Sequence, residues 1–141
     1  MVPVGSLELV VPDSAIDANG HVNNVQYVQW MQDAAMAHSA QLRWPQERYA
    51  ALGKTWIIRS HTIEYLHSAY AGDRITVFTW VADFHKIRSQ RKFKFVRAAD
   101  QKVLARAATV FIFCDLQTGK PLSIPLEVQQ AYTIVPEENE P

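Results

Sequence analysis

From Asp17 to Tyr27 the chain reads Asp-Ala-Asn-Gly-His-Val-Asn-Asn-Val-Gln-Tyr. A carboxylate (Asp17), a carboxamide (Asn19) and an imidazole (His21) stand at alternate positions, directly before a long apolar segment that begins near Asn24. If that segment is a helix, its first turn presents unpaired backbone N–H groups and the positive end of the helix dipole. Such a turn can bind the oxygen of a polarised carbonyl, as an oxyanion hole does. Asp17 can then attack that carbonyl, or deprotonate a water that does. Asn19 and His21 can orient the acid, the water or the substrate. The same residue types are also ordinary turn and cap formers. Asp17 alone suits an Asx turn, and Asp, Asn and Gly often precede a helix for purely structural reasons. Residue types by themselves leave both readings open.

The elements that must hold this stretch follow from periodicity and turn residues. Residues 5–11 form a short strand stopped by Pro12 and Asp13, and residues 12–23 form an ordered loop rich in turn formers. A helix is expected over 24–43, capped by Asn23 or Asn24 and stopped by Pro45. Its apolar stripe is Val28, Met31, Ala35, His38 and Leu42. With so few charges it is expected to be mostly buried, with Ala34, Ala35 and Ala37 allowing close approach to a sheet. A second short helix over 46–53 ends at Gly53. Strands follow at 55–67, 74–84, 86–97 and 103–115, rich in β-branched and aromatic residues, with successive antiparallel pairing expected. In the third of these, Arg88, Gln90, Lys92 and Lys94 share one face, and Ile87, Phe93 and Phe95 share the other. Strands 74–84 and 103–115 are apolar on both faces, as for central strands with a covered outer face. The tail holds a short helix near 125–132 and an acidic, frayed end over 136–141. The fold class is α+β: an antiparallel sheet wrapped around one long hydrophobic helix.

Composition bounds the function classes. With 141 residues, 48% hydrophobic and 20% charged, the chain fits one globular domain and not a disordered segment. No run is long and apolar enough for a transmembrane helix, and the start lacks the basic and apolar regions of a secretory signal. The single cysteine, Cys114, excludes an intramolecular disulfide and reads as a small buried hydrophobe, so the default compartment is cytoplasmic. A net charge of zero argues against a nucleic-acid binder. His38, His61, His67 and His85 have no metal-ligand spacing, so no metal site is expected. His38, on the apolar stripe, reads as a hydrogen-bonded core histidine. No G-x-S-x-G elbow, P-loop or dinucleotide fingerprint is present.

The Asp-x-Asn-Gly-His-Val-Asn-Asn-x-x-Tyr stretch and the apolar segment after it resemble the 4-hydroxybenzoyl-CoA thioesterase branch of the hotdog-fold superfamily. They are similar in particular to bacterial long-chain acyl-CoA thioesterases, and the core of the motif also looks like that of plant acyl-ACP thioesterases. Downstream, Ile63-Glu64-Tyr65-Leu66-His67-Ser68-Ala69, then Gly72-Asp73, and Lys120-Pro121-Leu122-Ser123-Ile124-Pro125 match further family segments, so the resemblance spans roughly residues 5–132. It implies a hotdog fold and hydrolysis of a fatty-acyl- or aromatic-acyl-CoA to free acid and CoA, without a metal or redox cofactor. It implies Asp17 as the catalytic carboxylate and the backbone N–H of Asn24 as the contact to the thioester oxygen. Asn19 and His21 would position the reacting groups. Tyr27 is a recurrent first-turn aromatic, read as packing first and substrate contact second. Ser68 departs from the usual proline, near where some relatives carry a catalytic glutamate, so a glutamate mechanism from that position is not implied. Trp56 and Met31 can border an acyl tunnel. A site shared between two subunits is also implied, hence a homodimer or homotetramer.

The central strands are strongly basic. Between His85 and Arg106 stand Lys86, Arg88, Arg91, Lys92, Lys94, Arg97, Lys102 and Arg106, against Asp100 alone. Such residues suit the phosphates of coenzyme A, with Arg88 and Arg91 the first choice. They suit a solvated strand face equally. An acyl-ACP thioesterase and a non-catalytic acyl-CoA- or lipid-binding protein are the competing functions.

Overall fold

The structure, a computed structural model, describes residues 3–141. Five strands form one antiparallel sheet: β1 (Val4–Val10), β2 (Lys54–Tyr65), β3 (Arg74–His85), β4 (Arg88–Arg97) and β5 (Val103–Asp115). Helix α1 (Asn24–Gln41) and the shorter α2 (Gln46–Ala51) lie between β1 and β2, and α3 (Leu126–Ala131) follows β5. The expected segments therefore all form, within a few residues.

The pairing differs from a simple succession. The strand order is β1-β3-β4-β5-β2. Only β3, β4 and β5 pair in chain order; β2 pairs with β5 at the far edge, and β1 takes the place beside β3. The two helices carry the chain from one edge of the sheet to the other, and residues 66–73 bring it back. That return crosses three strand spacings, about 14 Å, which eight residues span easily. A short connection therefore does not require neighbouring strands. Register shifts at Ile58/Ser60, Val81/Asp83 and Phe95/Val96 bend the strands locally.

Helix α1 packs against β1 and β3. Its buried residues are Tyr27, Trp30, Met31, Ala34 and His38. This corrects the expected stripe: Met31 and His38 are on it, whereas Val28, Ala35 and Leu42 are only half-buried. The two large aromatics turn the helix toward their own side. The helix is also less buried in one chain than its composition suggests, because Val25 is 73% and Met36 56% exposed. Gly5 makes the α1–β1 contact possible: a Cβ there would lie 2.7 Å from the His38 ring.

Two apolar clusters result. One joins the N-terminal half of α1 to the sheet through Tyr27, Trp30, Met31, Ile75, Phe93 and Phe95. The other holds Trp44, Tyr49, Val81, Phe113, Val128 and Tyr132, beneath α2 and α3. The tail is not frayed as expected. It forms a short 3-10 turn at Glu137–Asn139, Val135 donates its N–H to the Val81 carbonyl, and Glu140 pairs with Lys92. Trp80, on the outer face of β3, is 1% exposed.

Candidate active site

Residues 16–22 close on themselves. Ile16 bridges Val22, the Asp17 N–H donates to the His21 carbonyl at 2.9 Å, and the Gly20 N–H donates to the Asp17 carbonyl at 3.1 Å. Gly20 takes φ +84°, which the turn requires and an L side chain rarely adopts. The Asn19 N–H donates to Asp17 Oδ1 at 2.9 Å. The carboxylate is thus fixed by an Asx turn, while Oδ2 accepts from no group among the described residues. Asp17 and His21 are half-buried, and Asn19 is exposed.

This loop leads directly into α1. Asn23 is the N-cap, its side chain accepting from the Val25 N–H at 2.9 Å, while its carbonyl accepts from Gln26. Asn24, the first helical residue, donates its N–H to no acceptor among the described residues. The start of α1 is held from both sides: Asn23 N–H donates to the Ala15 carbonyl, and Val22 N–H to the Ala69 carbonyl, each at 2.8 Å. The 66–73 segment is clamped in turn by Arg97, whose guanidinium donates to the Ser68 carbonyl and to Asp73 and Asp100. The Asp100 contact, together with Asp73, raises the Arg97 pKa, and Arg97 lowers that of Asp100.

Tyr27 is 3% exposed and makes edge-on contacts with Trp30, Tyr65 and Phe95. Burial pushes its hydroxyl up to about 12. Tyr27 is therefore a packing residue beneath the helix start. Tyr65 donates to the Asn24 carbonyl at 3.3 Å. Glu64, one position away, borders a separate outer-face depression with Trp80, Lys92 and Arg106.

The two basic residues singled out as phosphate ligands are not near Asp17. Arg88 is exposed at the start of β4, nine residues from Arg97 and so about 30 Å along the strand. Arg91 is on the inner face of the sheet and only 5% exposed. Its guanidinium meets His38 Nδ1 at 2.9 Å, Thr79 Oγ1 at 3.1 Å and Ser39 Oγ at 3.4 Å. This corrects its assignment to a surface phosphate. Strand parity carried the signal, since Arg91 alternates in step with Phe93 and Phe95. Because it contacts His38, it sits on the order of 20 Å down α1 from Asn24.

A cavity of about 270 Å³ also lies at that end. Trp44, Tyr49, Trp56, Phe84, Phe93 and Phe111 supply apolar wall, so Trp56 and Met31 both border a cavity. A polar row that sequence reasoning missed crosses its floor: His61 on β2 is paired with Thr109 on β5, which is paired with Arg91 on β4. His61 Nδ1 lies 2.8 Å from Thr109 Oγ1, and burial lowers its pKa. Among the described residues no three His, Cys, Asp or Glu side chains cluster so as to hold a metal ion. Among the described residues no helix is long and apolar enough to cross a membrane.

Residues 11–132 match the family model of the thioesterase-like superfamily. The chain belongs to that superfamily. Solved structures share its fold at low identity. A 1,4-dihydroxy-2-naphthoyl-CoA thioesterase from Synechocystis superposes with a TM-score of 0.83 at 21% identity, covering 91% of this chain and 94% of that one. A mutant 4-hydroxybenzoyl-CoA thioesterase complexed with 4-hydroxybenzoyl-CoA gives 0.86 at 14% identity, covering 94% and 100%. An acyl-ACP thioesterase from Bacteroides thetaiotaomicron gives 0.83 at 20% identity; it covers 99% of this chain, which spans 57% of that protein. No curated protein matches the chain in sequence.

Proposed function

We propose that this superfamily member hydrolyses acyl-CoA thioesters to free acid and CoA. One observation carries the reading: among the described residues Asp17 keeps an unengaged carboxylate oxygen, in a loop that leads directly to the unengaged Asn24 N–H at the start of α1. Asp17 acts as nucleophile or as general base toward water. The Asn24 N–H, backed by the α1 dipole, stabilises the oxyanion of the tetrahedral intermediate. Asn19 and His21 position the reacting groups, and Tyr27 holds the helix start. A thioester carbonyl is already activated, so these groups suffice without a metal or redox cofactor.

In this reading the sheet wraps α1 as the central helix of a hotdog fold, and a second copy completes the site. Arg88 reaches a CoA phosphate near Asp17 only from another chain, given its place at the far end of β4. The outer edge of β2 is unpaired in one chain, and Ile57, Ile58, Tyr65 and Leu66 are exposed along it or just beyond it. Val25 and Met36 add exposed apolar surface on α1. Such an edge and face favour a homodimer, with a homotetramer built on it. A lone, buried cysteine suits a cytoplasmic protein.

The test is free-thiol release from a panel of acyl-CoA chain lengths and benzoyl-type CoAs. Hydrolysis of at least one thioester, catalytic in protein, is expected. Measurable binding with every thioester left intact contradicts the reading and favours a binding protein. Turnover of acyl-ACP far above that of acyl-CoA moves the substrate to the carrier protein.

A further inference from the structure

Arg91 is a buried cation with no carboxylate paired to it among the described residues. The ion pairs among the described residues are Lys92–Glu140, Arg97–Asp73 and Arg97–Asp100, and none involves Arg91. Its hydrogen-bond partners, His38, Thr79, Ser39 and the Tyr132 hydroxyl, lack a carboxylate. The ionisable groups acting on it are the hydroxyls of Tyr132 and Tyr49, linked to each other at 3.4 Å, with Tyr132 donating to Ser39 at 2.8 Å. Burial holds the Tyr49 hydroxyl firmly protonated. An arginine stays charged inside a protein, and a buried charge is normally paired. These four bonds leave one of the five guanidinium N–H donors for a further acceptor.

The unbalanced cation lines the cavity rather than solid core. Arg91, Ser39, His61, Thr109 and Tyr132 make up much of its polar lining. Gln32, Met36 and Ile58 border it and are exposed, so it opens to solvent there. A cavity of roughly 150 Å³ accommodates benzene, and this one is about 270 Å³. Its walls therefore suit an acyl chain or ring, and its floor suits an anionic group at the end of it.

We infer that Arg91 is a carboxylate-binding residue and that the cavity takes an acyl group carrying a carboxylate at the end remote from the thioester. The acyl placement rests on the proposed thioesterase activity; the carboxylate site does not. Arg91 thus serves the acyl end of the substrate, not the nucleotide. The carboxylate takes the remaining N–H donor and supplies the missing negative charge.

Two measurements on the full-length protein test this. Octanoate and octanol are titrated in, with fluorescence of the cavity residues Trp44 and Trp56 as readout. Octanoate is expected to bind at least about tenfold more tightly, and Arg91→Met is expected to abolish the difference. Because Arg91→Met removes an unbalanced buried charge, its melting temperature should stay within a few degrees of the parent. Thiol release is then compared for hexadecanedioyl-CoA and hexadecanoyl-CoA, whose chains are long enough to reach from Asn24 to Arg91, with kcat/KM at least about tenfold higher for the former in the parent only. Equal binding of octanoate and octanol overturns the inference, and so does an octanoate preference that survives Arg91→Met. If Arg91→Met does not fold, the parent's octanoate-to-octanol ratio decides alone. An octanoate preference without a hexadecanedioyl-CoA preference, while hexadecanoyl-CoA is hydrolysed, overturns the acyl placement. An octanoate preference with no thioester hydrolysed overturns the thioesterase reading and keeps the carboxylate site.

Discussion

At the N-terminal end of α1 the chemically capable groups face water; at the C-terminal end they lie deep in a cavity walled by aromatic rings. Asp17 and His21 are half-buried in a self-bonded loop, and Asn19 is exposed. Arg91, His38 and Thr79 are each at least 95% buried. The first end is built from backbone hydrogen bonds within a few residues of chain, which fix groups without desolvating them. The second brings together α1, β3, β4 and β5 and carries the cost of a buried charge. A group kept in water can exchange protons and meet a charged substrate. A group kept dry interacts strongly with whatever reaches it, so it suits selection rather than turnover. One helix thus connects a proposed reaction centre with a proposed selecting cavity on the order of 20 Å away.

Substitutions can break this contrast at either end. The largest stability effect is expected at Tyr27, the aromatic beneath the reactive end. Tyr27→Ala should cost about 3–5 kcal/mol by leaving a void among Trp30, Tyr65 and Phe95. Tyr27→Phe should cost about 1 kcal/mol or less. Chemical denaturation checks both, and a large loss in the Phe variant would give the hydroxyl a role that packing does not. Next comes Gly5→Ala, which presses on the His38 ring and through it on Arg91. It should destabilise by about 1–3 kcal/mol and weaken octanoate binding, while hydrolysis of short acyl-CoAs changes little. The smallest effect is expected at His61. Burial keeps its folded pKa below 6.5, so it stays neutral when folded and takes a proton more readily when unfolded. Its contribution is therefore present above 6.5 and declines as pH falls from 6.5 toward the folded value. His61→Gln should flatten the stability profile in that window, read from denaturation midpoints at successive pH values.

The two ends were not equally legible in the sequence. The Asp17 loop is local, and its turn formers, cap and helix start lie in one run of residues, so its form follows from neighbouring side chains. Helix α1 and the strands were legible from periodicity for the same reason. The polar row of His61, Thr109 and Arg91 joins three strands, and β2 reaches β5 only because the helices cross the sheet. No local pattern encodes that crossing. Parity placed Arg91 on the apolar side of β4, but its charge suggested a surface ligand. The docked tail was also illegible, since Glu140 finds Lys92 across 48 residues.

The central claim is that Asp17 performs the chemistry at the start of α1. The most direct measurement is kcat for Asp17→Asn against the parent on the best acyl-CoA, with melting temperature and octanoate binding recorded on the same preparations. Asn keeps the Asx turn and removes the charge, so turnover should fall on the order of 10²-fold or more, with melting temperature and octanoate binding unchanged. Parent-like turnover in Asp17→Asn would contradict the account.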